Sequence, residues 1–510
     1  MAPQDESLPL IGNHGFDRPG QKKMKRVSSI AKELGPEATQ KGKASVVNVG
    51  MNLAKTAAGT GVLALPYACK QGGLLLFVFG MFLIAFWNVY CMKQLCDALE
   101  YLVRLAETPI ACSDDTISPV EEGQTTKSSR CSDIFGRCKH DQFSIKFRNP
   151  PPEGTSSFSK LGWYALGDLG LWSIDIMMLM YLSFITIAFE VAILSFVEPT
   201  PFNTGEKLLD GIILGLVLVP FCIVDDLSAL SKLSRTGLIV LGLSMSVIAR
   251  YGLKGHHDIE YEYTTTGGTI WSGETDNYNE NEGSPFNLFP LNGIEGVSKW
   301  FGCIVFSFGI VPLTFNFRES MAEPEKLPRT AMISMSLVGV CYIIIGLSFL
   351  YLFPNIENDL LAEIPSTGLL ATTTRLAMIL VAMASTPLLV VPCGEIIEGK
   401  ITKSANTNGR TAAPSKTLMI IIRTCILLVT VSIAVKLPGF VSVLSFVGCA
   451  AVSMVSFVLP PGLHWLILGK RFHDGSEGTN YLQLSRVCDI MILMGGFATT
   501  VITTWFTGSQ

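Results

Sequence analysis

Residues 45–69 read SVVNVGMNLAKTAAGTGVLALPYAC, and the fold turns on how this stretch is read. It is long and apolar enough to cross a bilayer. Its centre, however, is Gly59-Thr60-Gly61, and Pro66 lies near its end. Helices cross membranes because they satisfy their own backbone polar groups. Glycine removes the steric bar to unwinding, and proline removes a backbone donor. A break at mid-depth is therefore tolerated only where the freed N–H and C=O groups face protein, water or a ligand. Membrane carriers bind solutes at such breaks.

The rest of the chain has the composition of a membrane protein. It has 510 residues, 49% of them hydrophobic and 16% charged, with a mean hydropathy of +0.42. Soluble domains carry roughly 25% charged residues. The charge that is present collects between long apolar runs. Eleven such runs are expected to cross: 45–69, 73–95, 174–197, 208–224, 236–249, 297–317, 331–353, 369–392, 418–435, 440–468 and 490–506. The fifth is short and is drawn with a possible extension through Leu253. Residues 1–44 are then a largely disordered cytosolic tail. Residues 45–507 form the membrane domain, and 508–510 are an outer tail. A long cytosolic loop (100–160) and a long acidic outer loop (254–296) interrupt the membrane domain. No early apolar run suggests a cleaved leader. With the N-terminus in the cytosol, the outer loops hold only Lys70, Lys207, Lys254 and Lys436, as expected where positive charge stays inside.

The sixth run repeats the pattern of the first. Residues 297–317 are apolar but contain Ser307-Phe308-Gly309 and Pro312. The two broken runs lie five apart, at matching places in two five-span halves, which is the pattern of an inverted repeat with a binding site at its centre. After the first break, free N–H groups near Gly61 form the positive end of a helix dipole and suit a carboxylate. Before the second, free carbonyls near Ser307 suit an ammonium. Together the two poles select an amino-acid zwitterion.

Several stretches of the chain resemble the amino acid/auxin permease family. They are Asn52 to Ala68, Pro220 to Leu230, Phe306 to Gly309 with Arg318 to Pro324, Pro387 to Glu398, and Phe446 to Gly448 with Leu459-Pro460. The resemblance implies an all-α membrane protein of eleven transmembrane helices: a LeuT-like 5+5 inverted repeat plus one extra C-terminal helix. It also implies amino-acid transport. By that likeness, Gly59, Thr60 and Gly61 bind the substrate carboxylate, while Ser307, Phe308 and Gly309 line the amine and side-chain pocket.

Candidate coupling residues follow from polar groups at membrane depth. Lys55 sits six residues before Gly61, where a lysine costs about 2.5–3.5 kcal/mol unless it has a use or a partner. It could fill the space of a sodium ion or exchange a proton; it could also snorkel to the cytosolic face. Similar lysines occur among proton-coupled relatives. Asn52, Ser385 and Thr386 are the alternative oxygens for sodium. Glu190 in the third run is a proton-relay candidate, because intramembrane acids default to functional roles. Asp175 is expected to be solvated at the membrane edge. Arg375 and Arg423 are open between interface anchor and pathway. Glu319 is a gating candidate at the cytosolic end of the sixth run, pairing with a basic residue.

Other chemistry is excluded or marginal. No nucleophile elbow, phosphate loop or basic stripe is present, so neither an enzyme nor a nucleic-acid binder is expected. Cys131, Cys138 and His140 lack a fourth ligand, and no metal or organic cofactor is expected. The coupling ion is expected to be H⁺ in preference to Na⁺. Glu6 with Leu10-Ile11 fits an acidic dileucine signal read by sorting adaptors, pointing to a vacuolar or lysosomal membrane, with the plasma membrane as the other option. A sodium-coupled symporter and an amino-acid-sensing receptor on the same fold are the competing readings.

Overall fold

A computed structural model describes residues 42, 44–107, 155–223, 237–254, 286–405, 416–468 and 479–508. The dileucine signal, the three-residue Cys/His cluster and the acids of the outer loop lie outside these residues. The chain divides into two compact units, 1–40 with 99–150 and 41–98 with 151–510. Of the first unit, only residues 99–107 are described.

Among the described residues all regular structure is helical, apart from one isolated parallel bridge between Ala44 and Met321. The α-helices are α1 (Val46–Ala57), α2 (Leu65–Glu107), α3 (Ser157–Leu166), α4 (Asp168–Val197), α5 (Lys207–Ile223), α6 (Gly237–Lys254), α7 (Ile294–Ser307), α8 (Thr314–Ser320), α9 (Leu327–Leu352), α10 (Leu369–Ser385), α11 (Pro387–Ala405), α12 (Lys416–Ala434), α13 (Phe440–Val447), α14 (Leu459–Leu468) and α15 (Thr479–Gly508). Among these residues, nine helical stretches are long and apolar enough to cross a membrane. One of the nine, Thr60–Val103, holds parts of two expected runs. They meet at Gly73, whose φ of 71° and ψ of 163° are not helical. The 17-residue α5 matches the expected fourth run, and α6 reaches Lys254, taking up the drawn extension of the fifth.

Gly73 is required twice over. Its φ lies in the region that L side chains avoid, and a Cβ there would sit 2.5 Å from the backbone of Phe289. Residues 287–291 pack against this corner and share its backbone hydrogen bonds. Leu74 N–H donates to Asn287 O (2.8 Å), and Leu291 N–H donates to Gln71 O (2.9 Å). The corner therefore closes without a loop.

Small residues set how closely the helices approach, as is usual where lipid removes the hydrophobic drive between helices. A Cβ on Gly302 of α7 would lie 2.0 Å from Ser445 O, and one on Gly448 would lie 1.9 Å from Gly302 O. Backbone meets backbone there, holding α7 against α13. Beyond α13 the helix widens into two π-helical stretches, Gly448–Val452 and Met454–Val458. Such widening often marks functional sites. Apolar side chains such as Phe79, Leu83, Leu216, Ile333 and Trp505 are exposed, a lipid-facing surface rather than an unpaired core.

Contacts define two ends of the larger unit. At one, here the near face, Ala44 N–H donates to Ser320 O (3.0 Å) and Ala322 N–H to Ala44 O (3.0 Å). The start of α1 is thus strapped to the end of α8. At the other, the far face, residues 356–364 fold onto the first helix. Leu360 N–H donates to Leu63 O (3.2 Å), and Lys70 Nζ donates to Ile356 O (3.0 Å).

Candidate functional site

The first break is real and short. α1 ends at Ala57; Ala58 (φ −72°, ψ 68°) is the centre of an inverse γ-turn, Gly59 (φ −104°, ψ −161°) is extended, and a 3₁₀ turn runs Thr60–Ala64 before α2. Gly59 N–H is used by Ala57 O (2.7 Å), and Val62 N–H by Gly59 O (3.2 Å). The N–H groups of Thr60 and Gly61 have no backbone acceptor among the described residues. The Thr60 hydroxyl is also buried without a partner there, on a residue 2% exposed. Buried polar groups are nearly always paired. Three donors at one turn therefore form a place for an anionic or polar group.

The second break follows the same logic in reverse. α7 ends at Ser307; Phe308 (φ −100°, ψ 15°) leaves the helix, and Ile310 leads into the 3₁₀ turn Val311–Leu313. Gly309 N–H bonds Phe306 O instead of Val305 O, and Ile310 N–H bonds Phe308 O. The ladder is thereby shifted, and carbonyls at the end of α7 are released.

The structure brings the two breaks into contact. A Cβ on Gly61 would lie 2.6 Å from Ser307 Oγ and 3.4 Å from Ser307 Cα, so the glycine is the condition for their approach. Tyr342 of α9, 2% exposed, spans both. Its hydroxyl donates to Ala57 O at 2.6 Å and lies 3.4 Å from Ser307 O, and its ring stands 5.3 Å from that of Phe308. Gly59 is not pinched, since its nearest neighbour to a Cβ is 4.0 Å away. Gly309 is tight against Val452 of the π-helical stretch, at 3.1 Å.

The coupling candidates fall in different places. Lys55 lies in the last turn of α1, half-buried, where its charge opposes the negative end of the helix dipole. Asn52 is exposed on the same helix. Ser385 and Thr386 donate their hydroxyls to Val381 O and Ala382 O, one turn back in α10, and no hydrogen bond joins them to Asn52. Glu190 is fully buried in α4, and its Oε1 accepts from Thr430 of α12 at 2.8 Å. Glu319 accepts from Ser157 of α3 at 3.1 Å.

Two expectations outside these candidates are corrected. Asp175 is not solvated: Ser159 donates to it, and Lys400 of α11 pairs with it at 3.1 Å while lying 3.4 Å above the Trp172 ring. The arginines are not interface anchors. Arg375 is 1% exposed and caps the carbonyls of Leu361, Ile364 and Pro365, and Arg423 pairs with Glu398 at 3.4 Å. These partners offset the cost of burying a guanidinium, although Arg375 Nε is left without one among the described residues.

Sequence reasoning missed Tyr342 and Thr430, and also a buried cluster in which His464 Nδ1 meets Asp489 Oδ2 (2.7 Å) and Gln94 donates to Asp489 Oδ1 (2.8 Å). A tyrosine or threonine in an apolar helix reads as packing. The usable signal was the intramembrane histidine with an acid in the next span.

The family model described as transmembrane amino acid transporter protein matches residues 42–108 and 148–508. Amino acid transporter ANT1 of Arabidopsis thaliana is 22% identical over 484 residues, covering 93% of this chain and 96% of the relative. Vacuolar amino acid transporter 5 of Schizosaccharomyces pombe is 26% identical over 187 residues, 36% of this chain and 42% of the relative. Vacuolar amino acid transporter 3 of Saccharomyces cerevisiae is 27% identical over 212 residues, 41% of this chain and 29% of the relative.

Proposed function

This chain belongs to the transmembrane amino acid transporter family, and from that premise we propose that it is a secondary active carrier binding an amino acid between its two broken helices. The observation that carries the reading is the meeting of the breaks, with Gly61 against Ser307 and Tyr342 reaching both. The substrate carboxylate takes the N–H groups of Thr60 and Gly61 and the Thr60 hydroxyl. The substrate ammonium takes the carbonyls released at Ser307.

The crossing count that fits this reading is eleven, with the corner at Gly73 separating the first two passes and α5 supplying the fourth. The first ten then form two inverted halves, and α15 stands outside the repeat. The distribution of lysine and arginine puts the near face in the cytosol. The names of the yeast relatives favour the vacuolar membrane. Access alternates as one helix bundle rocks against the rest. A proton is the coupling ion, supported by a buried carboxyl at Glu190 and by Asn52 lying exposed with no hydrogen bond to Ser385 or Thr386.

The test is uptake of labelled amino acids into proteoliposomes under an imposed pH gradient and, separately, a sodium gradient. Accumulation on the pH gradient is expected. Accumulation on sodium alone would overturn the choice of ion. Saturable binding by folded protein without flux under either gradient would overturn the carrier itself and point to a receptor.

A further inference from the structure

Glu190 and Thr430 are buried together at the interface of α4 and α12, and only one carboxyl oxygen is used. Glu190 is 0% exposed and Thr430 3%. Oε1 accepts from the Thr430 hydroxyl, while Oε2 is buried with no partner among the described residues. The Thr430 hydroxyl also lies 3.1 Å from both Ile426 O and Leu427 O in its own helix. It has one hydrogen and three acceptors within reach. With a proton on Oε2, Oε1 remains an acceptor, as the carboxylate oxygen before and as the acid's carbonyl oxygen after, so Thr430 donates to it in both states. The pair thus keeps a hydrogen bond in either protonation state.

The charges around it are engaged elsewhere. On α12, Arg423 pairs with Glu398 of α11 and donates to Cys222 O of α5 at 3.3 Å. On α4 itself, Asp175 pairs with Lys400 of α11. On α10, Arg375 is held by three carbonyls of residues 361–365. The other titratable groups on α4 and the helices packed against it are Lys160 and Tyr164 of α3, Asp168 and Tyr181 of α4, Lys207, Asp210 and Cys222 of α5, Glu395 and Cys393 of α11 (Cys393 Sγ 3.7 Å from Ser183 of α4), Lys416 and Cys425 of α12, and Cys449 beyond α13. Among the described residues no cation forms an ion pair with Glu190.

A cavity of about 130 Å³ lies one turn farther toward the far face. Leu194 and Ala434 line it, four residues beyond Glu190 and Thr430 respectively, so it stands over the pair at about one helical pitch, roughly 5.4 Å. Glu198, Lys207 and Asp210 form its polar rim. It has room for several waters, each of which takes roughly 30 Å³ in the liquid.

We propose that Glu190, Thr430 and this cavity form a proton-binding site with its own entrance on the far face, separate from the amino-acid path between the broken helices. The proposal rests on the proton-coupled carrier reading above. A proton from far-face water binds Oε2, forming an O–H bond, and leaves as H⁺ to near-face water after the bundle rocks. Lys55 then serves the helix dipole rather than the coupling step.

The experiment uses the full chain in proteoliposomes and compares pH-driven accumulation with counterflow of labelled against unlabelled amino acid. Glu190→Gln is expected to lower the ratio of pH-driven accumulation to counterflow at least tenfold. Leu194→Trp, which fills the cavity, is expected to lower it when acid is applied at the far face. Glu190→Gln with a wild-type ratio overturns the proposal. Should Glu190→Gln fail to fold by size-exclusion chromatography, Thr430→Val and Glu190→Asp decide. Each is expected to move the pH midpoint of uptake, and an unmoved midpoint in both overturns the site. Wild-type protein driven by sodium and not by pH overturns the coupling reading instead, a result distinct from any variant effect.

Discussion

At position 61 the absence of one carbon decides the site. A Cβ would come within 2.6 Å of the Ser307 hydroxyl, which donates to Cys303 O at 2.8 Å, and within 3.4 Å of Ser307 Cα and Cβ, so a bulky side chain has no room between the two helices. Gly61→Leu is expected to abolish uptake while leaving membrane insertion intact, measured by transport against protein yield in purified membranes. Full activity in that variant would remove the site from the first break. Tyr342→Phe removes the hydroxyl reaching both breaks and takes one donor from Ala57 O. Ala57 O keeps the N–H of Gly59 (2.7 Å), so the loss is one net hydrogen bond, about 0.5–1.5 kcal/mol. Lower thermal stability in detergent and slower uptake are expected together, and a variant matching wild type in both would deny the tyrosine its role. The breaks themselves were legible because glycine and proline inside apolar runs have few other uses. Glu190 was legible for the same kind of reason, since an acid at membrane depth is costly. Its partner was not, because threonine in such helices commonly bonds its own backbone.

Among the elements, the far-face segment 356–364 makes a prediction about pH. Asp359 is 2% exposed, and burial pushes its carboxyl up to about 6, against the backbone N–H bonds from Leu361 and Ala362 that pull it down. Glu363 beside it is also raised, chiefly by burial. Lys70 and Arg375 face the same segment but spend their donors on its carbonyls. The folded segment holds a proton that the unfolded one releases near pH 4. Its stability is therefore full below about pH 4, falls as pH rises toward 6, and is level above, a change of about 3 kcal/mol. Hydrogen exchange of residues 356–364 should show protection declining over that window, and Asp359→Asn should flatten the decline. A flat wild-type profile would contradict the burial argument. Sequence periodicity located the long helices because apolar length is the signal. It did not show α3, whose ten residues are too few to stand out, or the loopless corner at Gly73, which depends on residues 287–291 lying alongside.

For the whole molecule, the proposed alternating access would require the near face to part. The strap between Ala44 and Met321 joins the start of one broken helix to the end of the other. Paired backbone positions of this kind lie within the roughly 4.4–6.8 Å Cα separation that a disulfide spans. The double variant Ala44→Cys with Met321→Cys should lose uptake when oxidised and regain it with reductant, read in proteoliposomes alongside a proteolytic check of the cross-link. Undiminished uptake in the cross-linked protein would place the opening elsewhere. The Tyr342 hydroxyl adds a last consequence. One hydrogen serves two carbonyls unequally, at 2.6 Å and 3.4 Å, so the helix pair is moored firmly on one side and slackly on the other. An arriving ammonium would supply Ser307 O with the donor that the tyrosine only half provides. The slack line is the one the cargo would take up, and the resting protein already leaves it paid out.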